Sequence, residues 1–480
     1  MKWSKYQLAI FEDVAKGEGH TVVEALAGSG KTSSIIEALK YIPANLSWLL
    51  VAFNKRIADE LKLRAPTGGE VSTLHSLGLK SIGKTFRKIS VDTSKTDNIL
   101  IQLLGTKDET KELRYQLAQA VSLAKGYLAH TATEIDEILD SHDIEPLEIE
   151  RDEFINHILF VLDIAKKKTS IVDFDDMIWF PNVLKLDIPK FDRVFVDEAQ
   201  DLNKAQIEFV LQTVRGKAKT KRSKAPGRIT AIGDPHQAIY QWRGADSDAI
   251  GRIRKTLGAK TLGLPVTYRC PLTVVKEAQK IVPALEPSPT AIEGKIDYIS
   301  YDEMYKLAKP GCFILSRVNA PLVTLALGFI KRGIPANIQG RDIGENLVQL
   351  INRSKAKTIE SFVDYVERWK KKECQRLMAR NRDTTLVIDK AECLFALAEG
   401  ADSVRELKSN IERLFSDTDD SKKVILSTTH KAKGLERDTV FMLTNTYRYS
   451  GGEESNIRYV AITRAKKELY FVKSKLDKKE

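Results

Sequence analysis

The chain has 480 residues, of which 42% are hydrophobic and 29% are charged. This composition excludes a largely disordered, collagen-like or coiled-coil protein, and the length predicts about three domains. The 76 Lys and Arg residues outnumber the 65 Asp and Glu residues, which gives a net charge of +11. A positive charge of this size is compatible with a polyanionic partner but does not identify one. The class of partner therefore has to be inferred from the sequence motifs.

Signals for membranes, secretion and disulfides are missing from the sequence. The most apolar window, residues 313–330, contains Arg317 and Pro321, so we expect no membrane-spanning helix. The first residues have neither the apolar run nor the cleavage site of a signal peptide, which predicts a protein that stays where it is made. The cysteine spacing fits neither zinc nor redox motifs, and we expect buried free thiols at Cys270, Cys312, Cys374 and Cys393.

Short apolar runs without polar alternation recur along the chain and predict parallel strands that are buried on both faces. The runs span residues 21–26, 48–53, 193–196, 229–232, 313–315, 424–426, 440–443 and 469–472. Most are followed by a Gly, Asp or Asn turn and then a helical stretch, as in α/β units. Because the runs form one group before residue 235 and another after residue 310, we predict an α/β fold with two parallel-sheet domains in tandem.

Helical spacing predicts an insertion in each of these domains. Leu113, Leu117, Val121 and Ala124 recur at helix spacing in the first insertion. The second insertion contains a basic run around Trp369, formed by Arg368, Lys370, Lys371, Lys372, Arg376, Arg380 and Arg382. The predicted boundaries are 1–84 and 171–265 for the first domain, 85–170 for its insertion, 266–344 and 416–480 for the second domain, and 345–415 for the small second insertion.

A glycine-rich segment follows the first predicted strand and precedes a predicted helix at residues 33–39. Glycines allow backbone N–H groups to approach phosphates, and a helix N-terminus favours negative charge. Lys31 can then reach the β and γ phosphates, and the Thr32 hydroxyl can bind Mg²⁺. Ala25 stands where the usual pattern has glycine, and the alternative is a glycine-rich turn with a surface lysine. The candidate nucleotide-binding residues are Ala27, Gly28, Ser29, Gly30, Lys31, Thr32 and Ser33.

An acidic pair, Asp197 and Glu198, follows the strand predicted at residues 193–196. The carboxyl ends of strands are where open α/β sheets bind ligands. Asp197 suits a Mg²⁺-bound water, and Glu198 suits a general base for the attacking water. The alternative is an acidic loop that caps the next helix. Together with the phosphate loop, the acidic pair predicts a nucleoside triphosphatase.

A third motif, at residues 232–245, follows another predicted strand. Gln237 is a candidate sensor of the γ-phosphate, while Tyr240 and Trp242 are candidate platforms on which nucleic-acid bases stack. Arg243 is a candidate contact to the nucleic-acid phosphates. Taken alone, the two aromatic residues would favour core packing, whereas the neighbouring motifs favour stacking.

These motifs and those that follow resemble superfamily 1A DNA helicases of the UvrD, Rep and PcrA type. In this resemblance Gln7 corresponds to a residue that reads adenine, Tyr268 to a tyrosine that stacks on it, and Glu436 to a ribose contact. Arg269 and Arg464 resemble arginines that reach the γ-phosphate and the nucleotide from the second domain. Residues 172–176 resemble the segment in which the chain of these helicases returns from the first insertion to the core of the domain. Segments similar to the family's DNA-contacting motifs supply Phe53, Asn54, Lys55, Thr73, His75, Thr428 and His430.

The resemblance implies two RecA-like domains with insertions named 1B and 2B, and ATP with Mg²⁺ in the cleft between the domains. It also implies 3′→5′ translocation on single-stranded DNA and action at duplex junctions. Since both arginines come from the second domain, hydrolysis would be coupled to closure of the cleft. We expect an enzyme that is active as a monomer in the cytoplasm, of bacterial or phage origin and associated with the nucleoid.

Some positions depart from the family pattern. Pro235 and His236 in the third motif resemble the F-box-associated helicase branch, although we expect no F-box before Gln7. Ser455 and Asn456 stand where the family tends to have two arginines. A basic loop has no family counterpart, and a solvated loop is favoured over a contact with the DNA backbone. Its basic residues are Lys217, Lys219, Lys221, Arg222, Lys224 and Arg228.

Three alternative functions are compatible with the sequence. The first is an ATP-driven helicase that unwinds duplex DNA. The second is a translocase that removes proteins from single strands with little unwinding, which the small 2B region favours. The third is a DNA-binding module switched by its ATPase, and the complete hydrolysis motifs argue against it.

Overall fold

The chain forms two compact units, Met1–Pro265 and Val266–Glu480. The computed structural model describes residues 3–107, 110–142, 144, 146, 149–216, 226–240, 244–246, 248–379, 384–415, 422–449 and 451–473. The predicted residues that lie outside this described part are Trp242, Arg243, Lys217, Lys219, Lys221, Arg222, Lys224, Arg380 and Arg382.

The first unit alternates strands and helices along the chain. Its strands are β1 (Thr21–Ala25), β2 (Trp48–Val51), β3 (Gly69–Ser72), β4 (Ser90–Val91), β5 (Ile171–Val172), β6 (Arg193–Val196), β7 (Arg228–Gly233) and β8 (Lys260–Leu264). Its helices are α1 (Lys5–Lys16), α2 (Lys31–Leu39), α3 (Lys55–Arg64), α4 (Leu74–Thr85), α5 (Lys95–Leu104), α6 (Lys111–Tyr127), α7 (Ala132–Ser141), α8 (Arg151–Lys167), α9 (Phe174–Val183), α10 (Lys204–Thr213) and α11 (Ala249–Leu257).

Six of these strands form a parallel sheet in the order β3-β2-β6-β7-β1-β8. Val22 and Val194 point to one face, where they pack with side chains of α10 and α11. Val23 and Phe195, their neighbours in sequence, point to the other face and pack with α1 and α2. Burial on both faces explains why β1 and β6 contain consecutive apolar residues, Val22 with Val23 and Val194 with Phe195.

The helices α5 to α8 form the insertion of the first unit around a core of their own. Leu117 and Val121 of α6 and Phe154 of α8 are fully buried in this core. In each of these two helices the buried apolar residues recur every three to four positions, as in Leu117 and Val121, so they lie on one face of the helix. Trp179 and Phe180 of α9 belong to the same cluster, so the insertion packs directly on α9.

The second unit begins at Val266 and repeats the alternation of strands and helices. Its strands are β9 (Val266–Thr267), β10 (Glu286–Pro287), β11 (Lys295–Ser300), β12 (Phe313–Ser316), β13 (Ala336–Ile338), β14 (Val424–Thr428), β15 (Arg437–Leu443) and β16 (Ala465–Lys473). Its helices are α12 (Leu272–Ala278), α13 (Tyr301–Leu307), α14 (Ala320–Lys331), α15 (Arg341–Ser354), α16 (Ile359–Met378), α17 (Thr385–Ala398), α18 (Val404–Leu414) and α19 (Glu453–Ile462).

The main sheet of the second unit is also parallel, in the order β11-β16-β15-β12-β14-β13. The helices α15 to α18 form the second insertion, between β13 and β14. Phe362 of α16 and Leu394 of α17 share one buried cluster with Ile338 and Leu426 of the sheet. This insertion therefore extends the core of the sheet and does not build a separate one.

The predicted α/β class with two parallel sheets in tandem is confirmed. Each of the eight predicted apolar runs overlaps a strand. The strands that the sequence does not predict are β3, β8, β11 and β13, which are the edge strands of the two sheets, and the short pairs β4–β5 and β9–β10.

Three of the four cysteines are buried free thiols, as predicted. Burial raises the pKa of Cys312 to about 12, which makes its reactive thiolate rare. The prediction is wrong for Cys374, which is only partly buried. Across the described ranges we find no helix with both the length and the apolar character needed to cross a bilayer.

Candidate nucleotide and nucleic-acid site

The phosphate loop joins the end of β1 to the start of α2. Gly28 and Gly30 have left-handed φ angles of 72° and 76°, which residues with a Cβ rarely adopt. Gly30 is the N-cap residue of α2, and no side chain caps this helix end. Ser29 is 2% exposed, and its Oγ has no hydrogen-bond partner among the described residues. Because the first N–H groups of a helix lack intrahelical partners, this end and the buried hydroxyl suit a bound phosphate.

Lys31 and the acidic pair lie together in the first unit. The Nζ atom of Lys31 is 3.1 Å from Oε2 of Glu198. Asp197 is 5% exposed, and its Oδ1 accepts a 2.9 Å hydrogen bond from the backbone N–H of Glu198. Glu198 has a left-handed φ of 51°, an uncommon conformation for a residue with a side chain. The residue predicted to bind phosphates thus contacts the residue predicted to activate water.

The electrostatics of this site favour a bound cation. Burial, followed by the negative charge of Glu198, raises the pKa of Asp197 to about 7. Burial lowers the pKa of Lys31, but the charges of Glu198 and two aspartates outweigh burial and leave that pKa above its usual value. The carboxyl groups of Glu198, Asp197 and Asp234 all act on Lys31, so they outnumber its one ammonium group.

The predicted metal ligands fit Mg²⁺ by their chemistry. Thr32 offers a hydroxyl oxygen and Asp197 a carboxylate oxygen, which are the donors that Mg²⁺ prefers. Within the described ranges, no group of three or more His, Cys, Asp or Glu side chains is arranged to hold a metal. Mg²⁺ is commonly bound by one or two protein oxygens and completes its shell with water and phosphate oxygens, which two such ligands would allow.

Hydrogen bonds join the acidic pair to the third motif. Gln200 donates from Nε2 to Oε2 of Glu198 at 2.6 Å, and its Oε1 accepts from the backbone N–H of Asp234 at 3.0 Å. Gln237, the predicted sensor, donates from Nε2 to Oδ2 of Asp234 at 2.7 Å. A Cβ on Gly233 would lie 2.3 Å from Oε1 of Gln200, so this close approach requires glycine. Neither Gln200 nor Asp234 is predicted from the sequence as a site residue, although both lie in the motifs.

Gln7, the predicted adenine contact, is buried on α1. Its Oε1 accepts a 3.0 Å hydrogen bond from the backbone N–H of Ser4, and its Nε2 donates to Oγ of Ser34 at 2.9 Å. Gln7 thus links α1 to the helix that follows the phosphate loop, while its role in reading adenine stays a prediction. Tyr240 of the third motif is partly buried.

The residues predicted to contact DNA in the first unit follow β2 and β3. Phe53 is 46% exposed, so its ring is not part of the core. Lys55 is also exposed. Asn54 and Thr73 are the N-cap residues of α3 and α4, and their side-chain oxygens accept backbone N–H bonds of 2.9 Å and 3.2 Å. These residues therefore gather at the carboxyl ends of two neighbouring strands.

Phe174 joins this group, although the sequence does not predict it as a site residue. It is the first residue of α9 and is 57% exposed. Its ring centroid lies 6.2 Å from that of His75, with the ring planes at 81°. Burial lowers the pKa of His75 and so favours its neutral form. An exposed aromatic ring beside a neutral imidazole is suited to stacking with bases.

The predicted nucleotide contacts of the second unit lie in one neighbourhood. Arg269 forms an ion pair with Glu436 and donates to the backbone oxygen of Thr463 at 3.3 Å. Arg464 is 1% exposed and donates to two backbone carbonyls at 2.8 Å and 3.1 Å and to Oγ1 of Thr463 at 3.1 Å. Burial, together with the positive charge of Arg269, lowers the pKa of Arg464 to about 9. Arg464 is thus held in the interior of its own unit, and its reach to a nucleotide stays a prediction.

The other predicted residues of the second unit differ in exposure. Tyr268 is 48% exposed, and its stacking on adenine stays a prediction. Thr428 is 6% exposed at the end of β14, and His430 is partly buried two residues later. These two residues follow the carboxyl end of a central strand.

Two family models match the chain. The model of the UvrD/REP helicase N-terminal domain matches residues 7–258, which is more than half of the chain. The chain belongs to the UvrD/REP helicase family. The model of the UvrD-like helicase C-terminal domain matches residues 352–475. The resemblance inferred from the motifs is therefore confirmed. The two parallel sheets belong to the two RecA-like domains of this helicase family.

Curated relatives of this UvrD/REP-family chain include bacterial and eukaryotic proteins. F-box DNA helicase 1 of Gallus gallus is 25% identical over 501 residues, which cover 93% of this chain and 46% of the relative. ATP-dependent DNA helicase Rep of Escherichia coli is 27% identical over 294 residues, which cover 55% of this chain and 41% of the relative. ATP-dependent DNA helicase PcrA of Staphylococcus aureus is 26% identical over 303 residues, covering 56% and 39%. The chain spans about half the length of these relatives, and its bacterial or phage origin stays a prediction.

The prediction for one basic residue of this helicase-family chain is wrong. Arg228, grouped by sequence with the basic loop, is 4% exposed at the start of β7. Its Nη2 donates to Oδ2 of Asp13 at 3.0 Å, and its Nη1 donates to the backbone oxygen of Gly17 at 2.6 Å. Arg228 is therefore a buried partner of the end of α1 and belongs neither to a solvated loop nor to a DNA contact.

Proposed function

We propose that this chain is an ATP-dependent DNA helicase that moves 3′→5′ along single-stranded DNA and unwinds duplex DNA. Membership of the UvrD/REP helicase family supports this activity. The observation that carries the proposal is the unbroken series of contacts that begins at Lys31 and ends at Gln237. This series joins groups suited to a triphosphate with the segment that leads to Tyr240, a candidate platform for bases.

For hydrolysis, the phosphate loop and Lys31 would hold the triphosphate of ATP. Glu198 would accept the proton of the attacking water, and the hydrogen bond from Gln200 fixes the direction of its carboxylate. Mg²⁺ bound by Thr32 and Asp197 would neutralise charge on the phosphate oxygens. Gln237 would respond to the γ-phosphate, and its hydrogen bond to Asp234 would connect that response to Gln200 and Glu198.

The second unit would complete the reaction site. Arg269 and Arg464 are proposed to stabilise charge that develops on the γ-phosphate, with Tyr268 on the adenine and Glu436 on the ribose. An arginine supplied in this way raises the rate by about 10³ to 10⁵ in related phosphoryl-transfer enzymes. Because the two units would hold ATP between them, each cycle of hydrolysis would change their separation and drive stepping along DNA.

The DNA strand would cross the carboxyl ends of the strands in both units. In the first unit the exposed rings of Phe53 and Phe174 and the imidazole of His75 support a stacking surface. Thr428 and His430 are the proposed contacts in the second unit. The proposed contacts Trp242 and Arg243 lie outside the described residues.

A single-strand translocase that removes bound proteins with little unwinding is the second candidate. The observation that favours it is the second insertion, α15 to α18, whose described residues extend the core of the sheet and do not form a core of their own. The same hydrolysis chemistry would serve both candidates.

Three assays on the full chain separate these functions. ATP hydrolysis is measured with and without single-stranded DNA, strand displacement is measured on 3′-tailed and 5′-tailed duplexes, and streptavidin release is measured on biotinylated single strands. A helicase displaces strands from the 3′-tailed duplex, whereas a translocase only releases streptavidin. ATP hydrolysis that DNA does not stimulate would refute both, and the Lys31→Ala variant controls for contaminating ATPases. Sedimentation during turnover tests the proposed monomer.

A further inference from the structure

Two lysine side chains of the first insertion are buried at the start of α9. Lys125 of α6 is 1% exposed, and its Nζ lies 2.8 Å from Oδ2 of Asp173 and 2.9 Å from Oδ1 of Asp176. Lys95 of α5 is 2% exposed and lies 2.6 Å from Oδ2 of Asp176. Lys95 also donates to the backbone oxygen of Ala165 at 3.0 Å. The hydrolysis site described above uses none of these residues.

A buried cluster of charges needs a reason beyond stability. Removing two charges from water is costly, and apolar side chains of similar volume often stabilise a core as well or better. Burial lowers the pKa of Lys125, but the carboxylates of Asp176 and Asp173 outweigh it and raise that pKa above its usual value. Burial would raise the pKa of Asp173, yet Lys125 holds it below its usual value. Lys125 and Asp173 are therefore both charged, and the cluster fixes the geometry of the groups that it joins.

The group whose geometry is fixed is the N-terminus of α9. Asp173 is the N-cap residue, and its Oδ1 accepts from the backbone N–H of Asp176 at 2.8 Å. Its Oδ2 accepts from Thr96 Oγ1 and from Lys125 Nζ, both at 2.8 Å. The next residue is Phe174, whose exposed ring lies beside His75. An exposed ring has little packing of its own to hold it, so the backbone at Asp173 determines where it lies.

We propose that Lys125 is a positioning residue for DNA binding, which holds Asp173 so that the ring of Phe174 stays beside His75. This inference rests on the proposed function, since it assumes that these two rings contact the strand. It assigns the first insertion a task in strand binding that acts through α9, without contact between Lys125 and DNA.

The test compares Lys125→Met with Lys95→Met in the full chain. Lys95 is the control within the same cluster, because it is similarly buried but has no contact with the side chain of Asp173. It reaches the backbone of Asp173 only through Oδ2 of Asp176, which accepts that N–H at 3.3 Å. The probe is a single-stranded oligonucleotide that contains 2-aminopurine, whose fluorescence is quenched by stacking. Affinity comes from the titration, and ATP hydrolysis without DNA and KM for ATP are measured alongside.

Lys125→Met is expected to weaken oligonucleotide binding about fivefold or more and to reduce the quench, as Phe174→Ala does, since one stacked base contributes at least this much. Hydrolysis without DNA and KM for ATP should stay unchanged. Lys95→Met should lower affinity and quench less than Lys125→Met does, because Lys125 still holds both Asp173 and Asp176 in that variant. In the double variant Lys125→Met with Phe174→Ala, affinity should equal that of Phe174→Ala alone, because both changes remove one interaction.

Two results would overturn the inference: equal losses in Lys125→Met and Lys95→Met, or additive losses in the double variant. Should Lys125→Met fail to fold, Asp173→Asn removes the charge with which Lys125 pairs but keeps a side chain that can cap α9, and an unchanged quench in it would also overturn the inference. Normal binding by Phe174→Ala, or hydrolysis that DNA does not stimulate in the parent chain, would instead contradict the proposed function.

Discussion

Replacing Gln200 by Met removes both arms of the link between Glu198 and Asp234 while keeping most of the side-chain volume. A hydrogen bond to an ionised carboxylate contributes about 1.5–3 kcal/mol, and a buried N–H left without an acceptor costs about 1–3 kcal/mol. The two effects together are about 2.5–6 kcal/mol, shared between the free energy of unfolding and the barrier to hydrolysis. We therefore expect a folded but less stable protein with impaired turnover.

The effect on turnover should fall on kcat. Gln200 contacts the proposed base and the third motif but has no hydrogen bond to the phosphate loop. A loss of about 1.4–2.7 kcal/mol at the transition state lowers kcat about 10-fold to 100-fold. KM for ATP should change less than about threefold, since substrate binding does not depend on the missing bond.

The assay is steady-state phosphate release at saturating single-stranded DNA, together with a denaturant titration. Gln212→Met is the matched control, because Gln212 is a partly buried glutamine on α10 that donates to Oδ1 of Asn182 at 2.7 Å. This control should lose stability but keep its kcat. An unchanged kcat in Gln200→Met, or an equal fall in the control, would refute the positioning of Glu198 by Gln200.

Three further substitutions test other parts of the first unit. Glu198→Gln should abolish DNA-stimulated phosphate release, because the amide cannot accept the proton of water, and retained turnover would show that the base is wrongly assigned. Gly233→Ala should lower the free energy of unfolding by about 1–3 kcal/mol in a denaturant titration, since its Cβ would lie 2.3 Å from Oε1 of Gln200. An unchanged midpoint would contradict that close approach. Arg228→Met should cost about 3–5 kcal/mol, because Asp13 then loses a buried partner, and it should leave DNA affinity unaltered in the same titration used for the parent chain. A weaker DNA affinity of Arg228→Met would instead support the alternative prediction that Arg228 contacts the DNA backbone.

The central strands could be predicted from the sequence, whereas the edge strands β8 and β11 could not, and the difference has a physical reason. A central strand such as β6 is covered on both faces and both sides, so its buried positions, Val194 to Val196, all favour apolar residues. The edge strands β8 and β11 have one neighbouring strand and are largely exposed, so Lys260 and Lys295 are tolerated in them. Polar residues interrupt the apolar run, and the signal on which the prediction depended is lost.

The candidate site divides in the same way. The proximity of Lys31, Asp197 and Glu198 could be predicted, because the phosphate and water chemistry proposed for them demands particular residue types at the ends of particular strands. Phe174 could not, because its relevance comes from the exposure of its ring and from His75, which is distant in the sequence. A contact between distant residues leaves no local pattern in a single sequence.

Asn54 and Thr73 have a structural role that is compatible with the DNA contacts proposed for them. Both cap helices, which by itself explains their residue types at those positions. The cap, however, uses only the acceptor oxygen of each side chain. The amide group of Asn54 and the hydroxyl proton of Thr73 are donors that the cap does not consume, and donors are what a phosphate requires. A helix that begins at the carboxyl end of a strand thus presents its capping side chains where the proposed DNA path runs, so capping and the proposed strand binding would favour the same residue types.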